Sequence, residues 1–251
     1  MEDQVRKARD FAALHVKGAP LVLWNIWDAG SARAVAEAGA RALATGSWSV
    51  AAAQGYPDGE ALPLEDALRT AAQIVRAVDL PVTVDFEGGY GVEPEALARN
   101  VTALIGTGAV GLNFEDRVVG GSGLYEVAVQ AARVAAIRRA AETAAIPLFL
   151  NARTDVFLGG AEGTEQEKLE QVLVRAAAYR EAGADGLFVP GLKDPDLIAE
   201  ICARQELPVN VMRRDLEVPL DSLASAGVAR ISHGPVPYVA AMKALGAAAV
   251  T

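Results

Sequence analysis

Pro81-Val-Thr-Val-Asp-Phe-Glu-Gly-Gly-Tyr-Gly91 is the stretch that most clearly indicates the fold of this chain. It has a proline, then a short β-branched apolar run, and it ends in two carboxylates, Asp85 and Glu87, followed by glycines. A proline at this point means that a preceding helix has already ended, and the run is typical of a buried strand. If the strand extends to Glu87, both carboxylates face the same side, because alternate residues of a strand share a face. Two adjacent carboxylates repel each other unless a proton or a cation intervenes, so we expect a metal-assisted site at the end of this strand.

The same alternation of a short β-rich run with a longer Ala-rich helical pattern repeats along the whole chain. The predicted strands are 21–25, 41–45, 82–86, 111–115, 148–152, 186–189, 209–212 and 229–232. The predicted helices are 31–38, 64–78, 94–107, 127–144, 165–182, 195–204, 220–226 and 236–247. Eight units with no break in composition favour a single-domain (β/α)8 barrel over residues 1–251, with an open doubly wound sheet as the alternative. Residues 2–15 predict an additional amphipathic helix across one end of the barrel.

Composition limits the partners that we expect for this protein. The chain has 251 residues, 52% of them hydrophobic, and a formal net charge of −9. A strongly acidic protein is a poor match for nucleic acid or anionic membrane surfaces, although a local metal or arginine can still attract an anionic substrate. The single cysteine, Cys202, excludes an internal disulfide and fits a reducing compartment. With no signal peptide and no apolar run long enough to span a bilayer, the sequence predicts a cytoplasmic protein.

Polar residues concentrate directly after the predicted strands. In (β/α)8 barrels the chemistry lies at the C-terminal ends of the strands, so we expect these side chains to surround one site. The residues at these positions are Asn25, Asp28, Thr45, Ser47, Trp48, Asp85, Glu87, Asn113, Glu115, Asp116, Asn151, Arg153, Asp155, Met212, Arg213 and His233.

Asp85, Glu87 and Glu115 follow neighbouring strands, so their carboxylates can converge on a hard divalent ion such as Mg²⁺. The alternative is that they are solvated loop carboxylates. Arg153 offers a planar fork of donors to a substrate carboxylate, or it forms a salt bridge to one of these acids, and the two roles are compatible. Asp116 either pairs with Arg117 or braces a loop.

Two further groups have weaker signals. Thr45-Gly-Ser-Trp-Ser49 offers backbone N–H groups and hydroxyls in a turn, a plausible anion-binding site for an oxyacid, while Trp48 alternatively covers the barrel. His233 either takes part in acid–base chemistry or is structural. His15 and Cys202 fall on predicted helices and are interpreted as packing or surface residues.

The set of motifs resembles the isocitrate lyase/phosphoenolpyruvate mutase superfamily over nearly the whole chain. The matching stretches are 25–32 (NIWDAGSA), 45–47 (TGS), 55–58 (GYPD), 84–91 (VDFEGGYG), 111–116 (GLNFED) and 151–155 (NARTD). Members cleave or form C–C or P–C bonds next to a 2-oxo acid and hold an oxyanion or enolate on Mg²⁺.

The resemblance implies a metal ion, Mg²⁺ or alternatively Mn²⁺, bound by Asp85 with Glu87 and Glu115 nearby, partly through water. It also implies that Asp58 supports these ligands and that Arg153 binds a carboxylate. The implied catalytic residues are Asp58, Glu115 and Arg153, and the implied substrate-binding residues are Thr45, Gly46, Ser47, Trp48, Asn151, Arg153 and His233. The family commonly forms tetramers, so a homo-oligomer, dimer or tetramer, is expected.

Two positions depart from the family pattern. Asp85-Phe-Glu87 stands where the family usually has Asp-x-Asp, and the loop Arg117–Tyr125 lacks the Lys-x-Cys-Gly-His stretch of the lyase branch as well as the Lys and Asn of phosphonate mutases and hydrolases. The missing thiol argues against isocitrate or methylisocitrate lyase activity. The sequence is more similar to a mutase-like branch that shares the Leu-Tyr and Asn-Ala-Arg-Thr-Asp elements.

These observations lead to one hypothesis and two alternatives. The hypothesis is a Mg²⁺-dependent lyase or decarboxylase-like enzyme that cleaves a C–C bond adjacent to a 2-oxo or 2-hydroxy acid through a metal-bound enolate, with Gly120–Gly123 as a lid over the site. The first alternative is a phosphonopyruvate-type mutase or hydrolase that acts on a P–C bond. The second is an oxyacid-binding protein without catalysis.

Overall fold

The computed structural model describes residues 1–249, and it contains eight parallel strands. They are β1 (Leu21–Leu23), β2 (Leu43–Ala44), β3 (Val82–Asp85), β4 (Gly111–Glu115), β5 (Phe149–Arg153), β6 (Gly186–Val189), β7 (Val209–Met212) and β8 (Arg230–Ser232). Their order in the sheet is β1-β8-β7-β6-β5-β4-β3-β2. A parallel bridge between Ile26 and Thr45, with the Ile26 N–H donating to the Ala44 carbonyl at 2.9 Å, connects the two ends of the sheet. The sheet is thus a nearly closed barrel, and the predicted (β/α)8 fold is confirmed.

Helices connect the strands and cover the outside of the barrel. They are α1 (Glu2–Ala13), α2 (Ala29–Glu37), α3 (Ser47–Ala53), α4 (Leu64–Ala77), α5 (Pro94–Gly106), α6 (Val127–Thr143), α7 (Glu165–Glu181), α8 (Pro195–Arg204), α9 (Leu220–Ser225) and α10 (Val236–Ala248), with a short 3₁₀ helix at Val156–Leu158. Apolar side chains of β3 to β8 pack against the inner faces of these helices in one large buried cluster. Within residues 1–249, none of the helices has the length and apolar character needed to cross a membrane.

Helix α1 lies across the N-terminal end of the barrel, as the sequence predicts, although it ends at Ala13 rather than at residue 15. Phe11 is fully buried there and meets the Phe149 ring edge-on, with 5.5 Å between the ring centroids. His15 stacks on the same Phe149 ring at 4.0 Å. This end of the barrel is therefore filled with apolar and aromatic side chains, which leaves the opposite end open for ligands.

Two local predictions differ from the structure. The segment after β2, expected as a turn, becomes helix α3 from Ser47, since the run of alanines that follows favours a helix. Strand β3 ends at Asp85, because Glu87 has a φ of +50°, in the left-handed region, and the chain turns away there. Asp85 and Glu87 are thus not successive inward residues of one extended strand.

Candidate active site

A cavity of about 350 Å³ opens at the C-terminal ends of the strands. Its polar lining comes from six strand ends or the loops that follow them, which is the position that the barrel fold predicts for a site. The lining residues are Asn25, Gly46, Ser47, Trp48, Asp58, Asp85, Asn113, Arg153, Leu158, Phe188, Pro190, Met212, Arg214, Ser232, Gly234, Pro235 and Val239.

Asp85 is held in a fixed orientation at the wall of this cavity. Its Oδ2 accepts hydrogen bonds from the Ser47 backbone N–H at 3.1 Å and from the Ser47 hydroxyl at 2.8 Å. Its own backbone N–H donates to the Thr45 hydroxyl at 2.9 Å. Its Oδ1 accepts a longer bond from the Asn113 amide at 3.3 Å and lies 4.0 Å from Arg153 Nη1. One carboxylate oxygen is thus firmly anchored, and the other is loosely engaged.

Glu87 is buried, but its carboxylate is directed to the 59–60 turn. Its Oε2 accepts from the backbone N–H groups of Gly59, at 3.0 Å, and Glu60, at 2.7 Å. Burial, followed by the charge of Asp85, raises the pKa of Glu87 to about 7. Asp58 lies on the same exposed loop with its carboxyl at the cavity, and there partial burial and the charge of Asp85 raise its pKa. Ionised Glu87 and Asp58 are thus both disfavoured by burial and by the neighbouring charge of Asp85.

Arg153 lies between three carboxylates. Its Nε and Nη2 donate to the two oxygens of Asp155 at 2.6 and 2.8 Å, and its Nη1 lies 2.8 Å from Glu115 Oε2. Burial alone would lower the pKa of Arg153, but the charges of Glu115, Asp155 and Asp85 outweigh it and raise that pKa. Burial raises the pKa of Glu115, which the contact with Arg153 opposes. The predicted salt bridge exists, and the guanidinium also lines the cavity, with two of its five N–H groups free of these contacts.

Asp116 is fully buried beneath this group. Its carboxylate accepts from the Asp155 backbone N–H at 3.0 Å, from the Tyr179 hydroxyl at 2.8 Å and from Arg175 Nη1 at 3.2 Å. Of the two predicted roles, the structure supports the bracing one. The ion pair is made with Arg175, and Asp116 fixes the turn that carries Asp155.

Of the remaining predicted residues, some line the cavity and others hold the lining residues in place. Gly46, Ser47 and Trp48 line the cavity, while Thr45 supports the Asp85 backbone. His233 is buried beside the cavity, with its Nδ1 3.1 Å from the Leu23 carbonyl, and burial lowers its pKa. This placement supports a structural function for the His233 ring.

Asn151 lies in a polar column inside the barrel. Its amide donates to Asn113 Oδ1 at 2.9 Å, and Arg230 Nη2 donates to the same oxygen at 3.2 Å. Asn113 in turn donates to Asp85, so the column connects a buried guanidinium to the cavity carboxylate. Arg230 is 1% exposed, and its Nε and Nη1 have no partner among the described residues.

The carboxylates around Asp85 fit a magnesium ion that is bound directly by a single side chain. Within residues 1–249, no three His, Cys, Asp or Glu side chains lie close enough together to hold a metal between them. Mg²⁺, however, usually binds one or two carboxylates and keeps several waters. Asp85 presents a loosely engaged oxygen, and the acids around it have pKa values raised by burial and by mutual repulsion, which a cation would relieve. These residues fit an ion ligated directly by Asp85, with the other acids acting through water.

Sequence reasoning missed three buried arginines that organise this end of the barrel. Arg175 holds Asp116, Arg230 donates to Asn113, and Arg133 donates to the carbonyls of Gly88, at 2.7 Å, and Gly91, at 3.1 Å. The available signal was a cation within an otherwise apolar stretch, since a charged residue is rarely buried without a partner.

Fold and site together define a (β/α)8 barrel with an acidic and arginine-lined mouth. The chain belongs to the phosphoenolpyruvate phosphomutase family, whose model matches residues 11–251. This match confirms the superfamily that the motifs indicate.

Three relatives illustrate the range of the family. A crystal structure described as a candidate phosphonomutase from Burkholderia cenocepacia J2315 is 53% identical, with a TM-score of 0.95 over 98% of this chain and 100% of that one. An uncharacterized protein of Mycobacterium tuberculosis (strain ATCC 25618 / H37Rv) is 36% identical over 95% of this chain and 87% of its own length. An oxaloacetate decarboxylase of Pseudomonas entomophila (strain L48) is 32% identical over 88% of this chain and 75% of its own length.

Proposed function

We propose that this protein is a Mg²⁺-dependent lyase or decarboxylase that cleaves a C–C bond of a small 2-oxo or 2-hydroxy acid and leaves an enolate. In a 2-hydroxy acid this is a bond to the carbon that bears the hydroxy group, and in a 2-oxo acid it is the bond between the carbon next to the oxo group and a carboxylate. The observation that carries the proposal is the pairing, in one cavity, of the oriented carboxylate Asp85 with the guanidinium of Arg153. The relative from Pseudomonas entomophila, an oxaloacetate decarboxylase by name, belongs to this reaction class.

Each group has a distinct task in this proposal. Asp85 would hold the metal, and a Mg²⁺ at this point would supply positive charge where negative charge develops on the substrate oxygens. Arg153, held rigidly by Asp155 and Glu115, presents its remaining N–H groups to the substrate carboxylate. Asp58 and Glu115 act as supporting acids. Charge stabilisation by a preorganised site of this kind is commonly a major part of an enzyme's rate enhancement.

The loop Arg117–Tyr125 decides which reactions are compatible with this site. It contains no cysteine, histidine or lysine, and it folds back on itself through a bridge between Arg117 and Leu124. A retro-aldol cleavage in which a thiol protonates the product needs a cysteine that this loop lacks. Decarboxylation fits the loop better, because the enolate that it produces can take a proton from water.

Binding and turnover of defined compounds test this proposal. We expect oxalate to bind with micromolar affinity only when Mg²⁺ is present, and a panel of 2-oxo and 2-hydroxy di-acids to include one whose cleavage requires Mg²⁺. Asp85→Asn is expected to abolish both, while Asp10→Asn, on α1 at the opposite end of the barrel, retains them. Oxalate binding that is independent of both Mg²⁺ and Asp85 would overturn the assignment.

A P–C mutase or hydrolase is the second candidate function, and the 53% identity to the candidate phosphonomutase favours it. Phosphonopyruvate incubated with the Mg²⁺-loaded protein and followed by phosphorus NMR distinguishes the two. Rearrangement or phosphate release would support P–C chemistry, and an unchanged spectrum combined with di-acid cleavage would support the lyase. If oxalate binds but bound pyruvate exchanges no protons with solvent, the protein is an oxyacid-binding protein without catalysis.

We also propose a homo-oligomer, dimer or tetramer. Helix α10 exposes Val239, Met242 and Leu245, which are spaced three residues apart and are 49%, 39% and 64% exposed. Such a stripe is typical of an interface between subunits. Light scattering on the wild type and on Leu245→Glu tests this, with a smaller species expected for the variant. The cytoplasmic location that we propose rests on the single, buried Cys202 and is tested by cell fractionation.

A further inference from the structure

A second cavity of about 380 Å³ adjoins the candidate active site. The two cavities share Leu158, Met212 and Arg214 in their walls. The second one lies between the 3₁₀ helix, the loop that follows β6 and the loop that follows β7. A ligand whose head is held near Asp85 and Arg153 would have to pass Leu158 and Met212 to enter it.

Specific contacts hold the two loops that line the second cavity. Gly191, with a φ of +86°, brings the loop after β6 against the 3₁₀ helix, and a Cβ on it would lie only 2.4 Å from the Phe157 carbonyl oxygen. On the other side, Arg213 Nε donates to the Val218 carbonyl at 2.6 Å and its Nη2 donates to the Leu216 carbonyl, so this arginine braces its own loop. Both loops are fixed by specific contacts, which favours a preformed site.

The lining combines an apolar floor with cations at the rim. The floor contains Leu192, Ile198, Val211 and Leu223, which are between 2% and 6% exposed. Lys193 and Arg214 lie at the rim, both exposed, and neither has an ion pair or side-chain hydrogen bond with any of residues 1–249.

The charge balance at this rim differs from that of the whole molecule. The acid in the lining, Asp215, is exposed and accepts a hydrogen bond from the Glu217 N–H at 2.9 Å. Three cations, Lys193, Arg213 and Arg214, face this one carboxylate in a chain whose net charge is −9. An excess of cations at one place on an acidic protein is the arrangement that attracts an anion.

We propose that the substrate is an extended di-acid, in which an arm of several CH₂ groups joins the reacting oxyacid head to a second carboxylate. The arm lies in the second cavity on the apolar floor, and the terminal carboxylate is bound by Lys193 and Arg214. This inference rests on the proposed function, since it takes the head to be bound at Asp85 and Arg153. It assigns the selection of substrate length to the loops after β6 and β7.

Calorimetric titration of the Mg²⁺-loaded protein with matched acids tests the inference. The affinities of oxalate and pyruvate report on binding of the oxyacid head alone, and 2-oxohexanoate has an apolar arm in addition. The di-acids 2-oxoglutarate, 2-oxoadipate and 2-oxopimelate also have a terminal carboxylate, on arms of increasing length. We expect at least one of these di-acids to bind about tenfold or more tightly than 2-oxohexanoate, which is the contribution of a charge-assisted hydrogen bond.

Variants assign the effect to the second cavity. For Lys193→Met we expect the ratio of di-acid affinity to oxalate affinity to fall about tenfold. Arg139→Met, on α6, removes an exposed cation that likewise has no side-chain partner among the described residues, and it should leave the ratio unchanged. Val218→Trp fills the second cavity and is expected to reduce the affinity for 2-oxohexanoate as well.

The outcomes separate the two levels of the proposal. If oxalate binds with Mg²⁺ but no di-acid binds more tightly than 2-oxohexanoate, the extended substrate is wrong and the proposed function stands. An equal fall of the affinity ratio in Lys193→Met and Arg139→Met would also overturn the extended substrate, because the effect would then come from the net charge of the protein. If oxalate shows no Mg²⁺-dependent binding, the proposed function fails and this inference fails with it.

Discussion

Arg230 is a buried cation whose hydrogen bonding is incomplete. Its guanidinium is buried in the barrel, it donates to Asn113, and two of its nitrogens have no partner among residues 1–249. A buried donor left without a partner costs about 1–3 kcal/mol. The residue therefore reduces stability while it supports the polar column below Asp85.

Replacing this arginine should stabilise the protein. For Arg230→Met we expect the free energy of unfolding to rise by about 1–3 kcal/mol, because an apolar side chain of similar length removes the unpaired donors. Arg230→Lys keeps the buried charge and should give no gain. Urea unfolding at neutral pH measures both, and an unchanged or lower free energy of unfolding for Arg230→Met would contradict the prediction.

His15 is expected to make the fold sensitive to acid. Burial, together with the nearby charge of Arg230, lowers the pKa of His15 from 6.5 to about 3. Below about pH 6.5 the unfolded chain binds a proton at His15, whereas the folded chain does not until the pH approaches 3. The free energy of unfolding therefore decreases as the pH falls from about 6.5 toward 3. The loss is at most about 1.4 kcal/mol per pH unit.

The variant His15→Phe keeps an aromatic ring against Phe149 and has no proton to bind. Its unfolding free energy should decline less than that of the wild type between pH 7 and pH 4. Denaturant titrations at several pH values provide the measurement, and parallel declines in the two proteins would show that His15 is not responsible.

At the scale of single residues, the sequence predicted which side chains reach the mouth better than it predicted their partners. Asp85 and Arg153 could be placed because both directly follow or end a strand. The orientation of Glu87 could not be predicted, since it depends on one left-handed backbone conformation. The partner of Asp116 is 59 residues away, at Arg175, and such long-range pairs leave no local pattern.

At the scale of elements, the turn at Gly88–Gly91 depends on helix α6. Arg133 of this helix donates to the carbonyls of Gly88 and Gly91 and lies over the rings of Phe114, at 4.8 Å, and Tyr125, at 4.2 Å. One helical side chain thus supports the turn after β3 and the residue that closes the loop after β4.

Removing this support should loosen the turn. Arg133→Met leaves two carbonyls without their donor and is expected to cost about 1–3 kcal/mol of unfolding free energy. Amide hydrogen exchange at Gly89 and Tyr90 should accelerate more than in the strands. Arg139→Met on the same helix is the matched control, and similar exchange rates in the two variants would contradict the assigned role.

The strand and helix pattern was predictable because its signals are local and repeated eight times. Seven of the eight predicted helices begin and end within one residue of the observed helices, and Pro81 correctly marks the start of β3. Helix α3 was missed because Gly46 and the serines around Trp48 indicate a turn, whereas the alanines that follow continue the chain as a helix.

At the scale of the whole molecule, stability and ligand binding are located at opposite ends of the barrel. Phe11 and α1 close the N-terminal end, and the cavity opens at the other. Phe11→Ala is therefore expected to cost about 3–5 kcal/mol of unfolding free energy while Mg²⁺-dependent oxalate affinity changes less than about twofold.

Thermal unfolding and calorimetry on the same samples measure the two quantities, at a temperature where the variant remains folded. Val174→Ala on α7 serves as a comparison, since it removes an exposed rather than a buried side chain. A large loss of oxalate affinity in folded Phe11→Ala protein would show that the two ends are coupled.

The loop between β4 and α6 is held at its base by hydrogen bonds, and Leu124 near its end packs against the buried core. The Tyr125 N–H donates to the Asp116 carbonyl at 2.8 Å, and the Tyr125 carbonyl accepts from Arg175 at 2.9 Å, so the flanking residues form a fixed frame. The tip between the bridged residues Arg117 and Leu124 can consequently be exchanged for another of similar length without rebuilding the barrel. Evolution, or a protein engineer, can therefore replace this tip to change the reaction, while the residues that hold the loop in place remain the same.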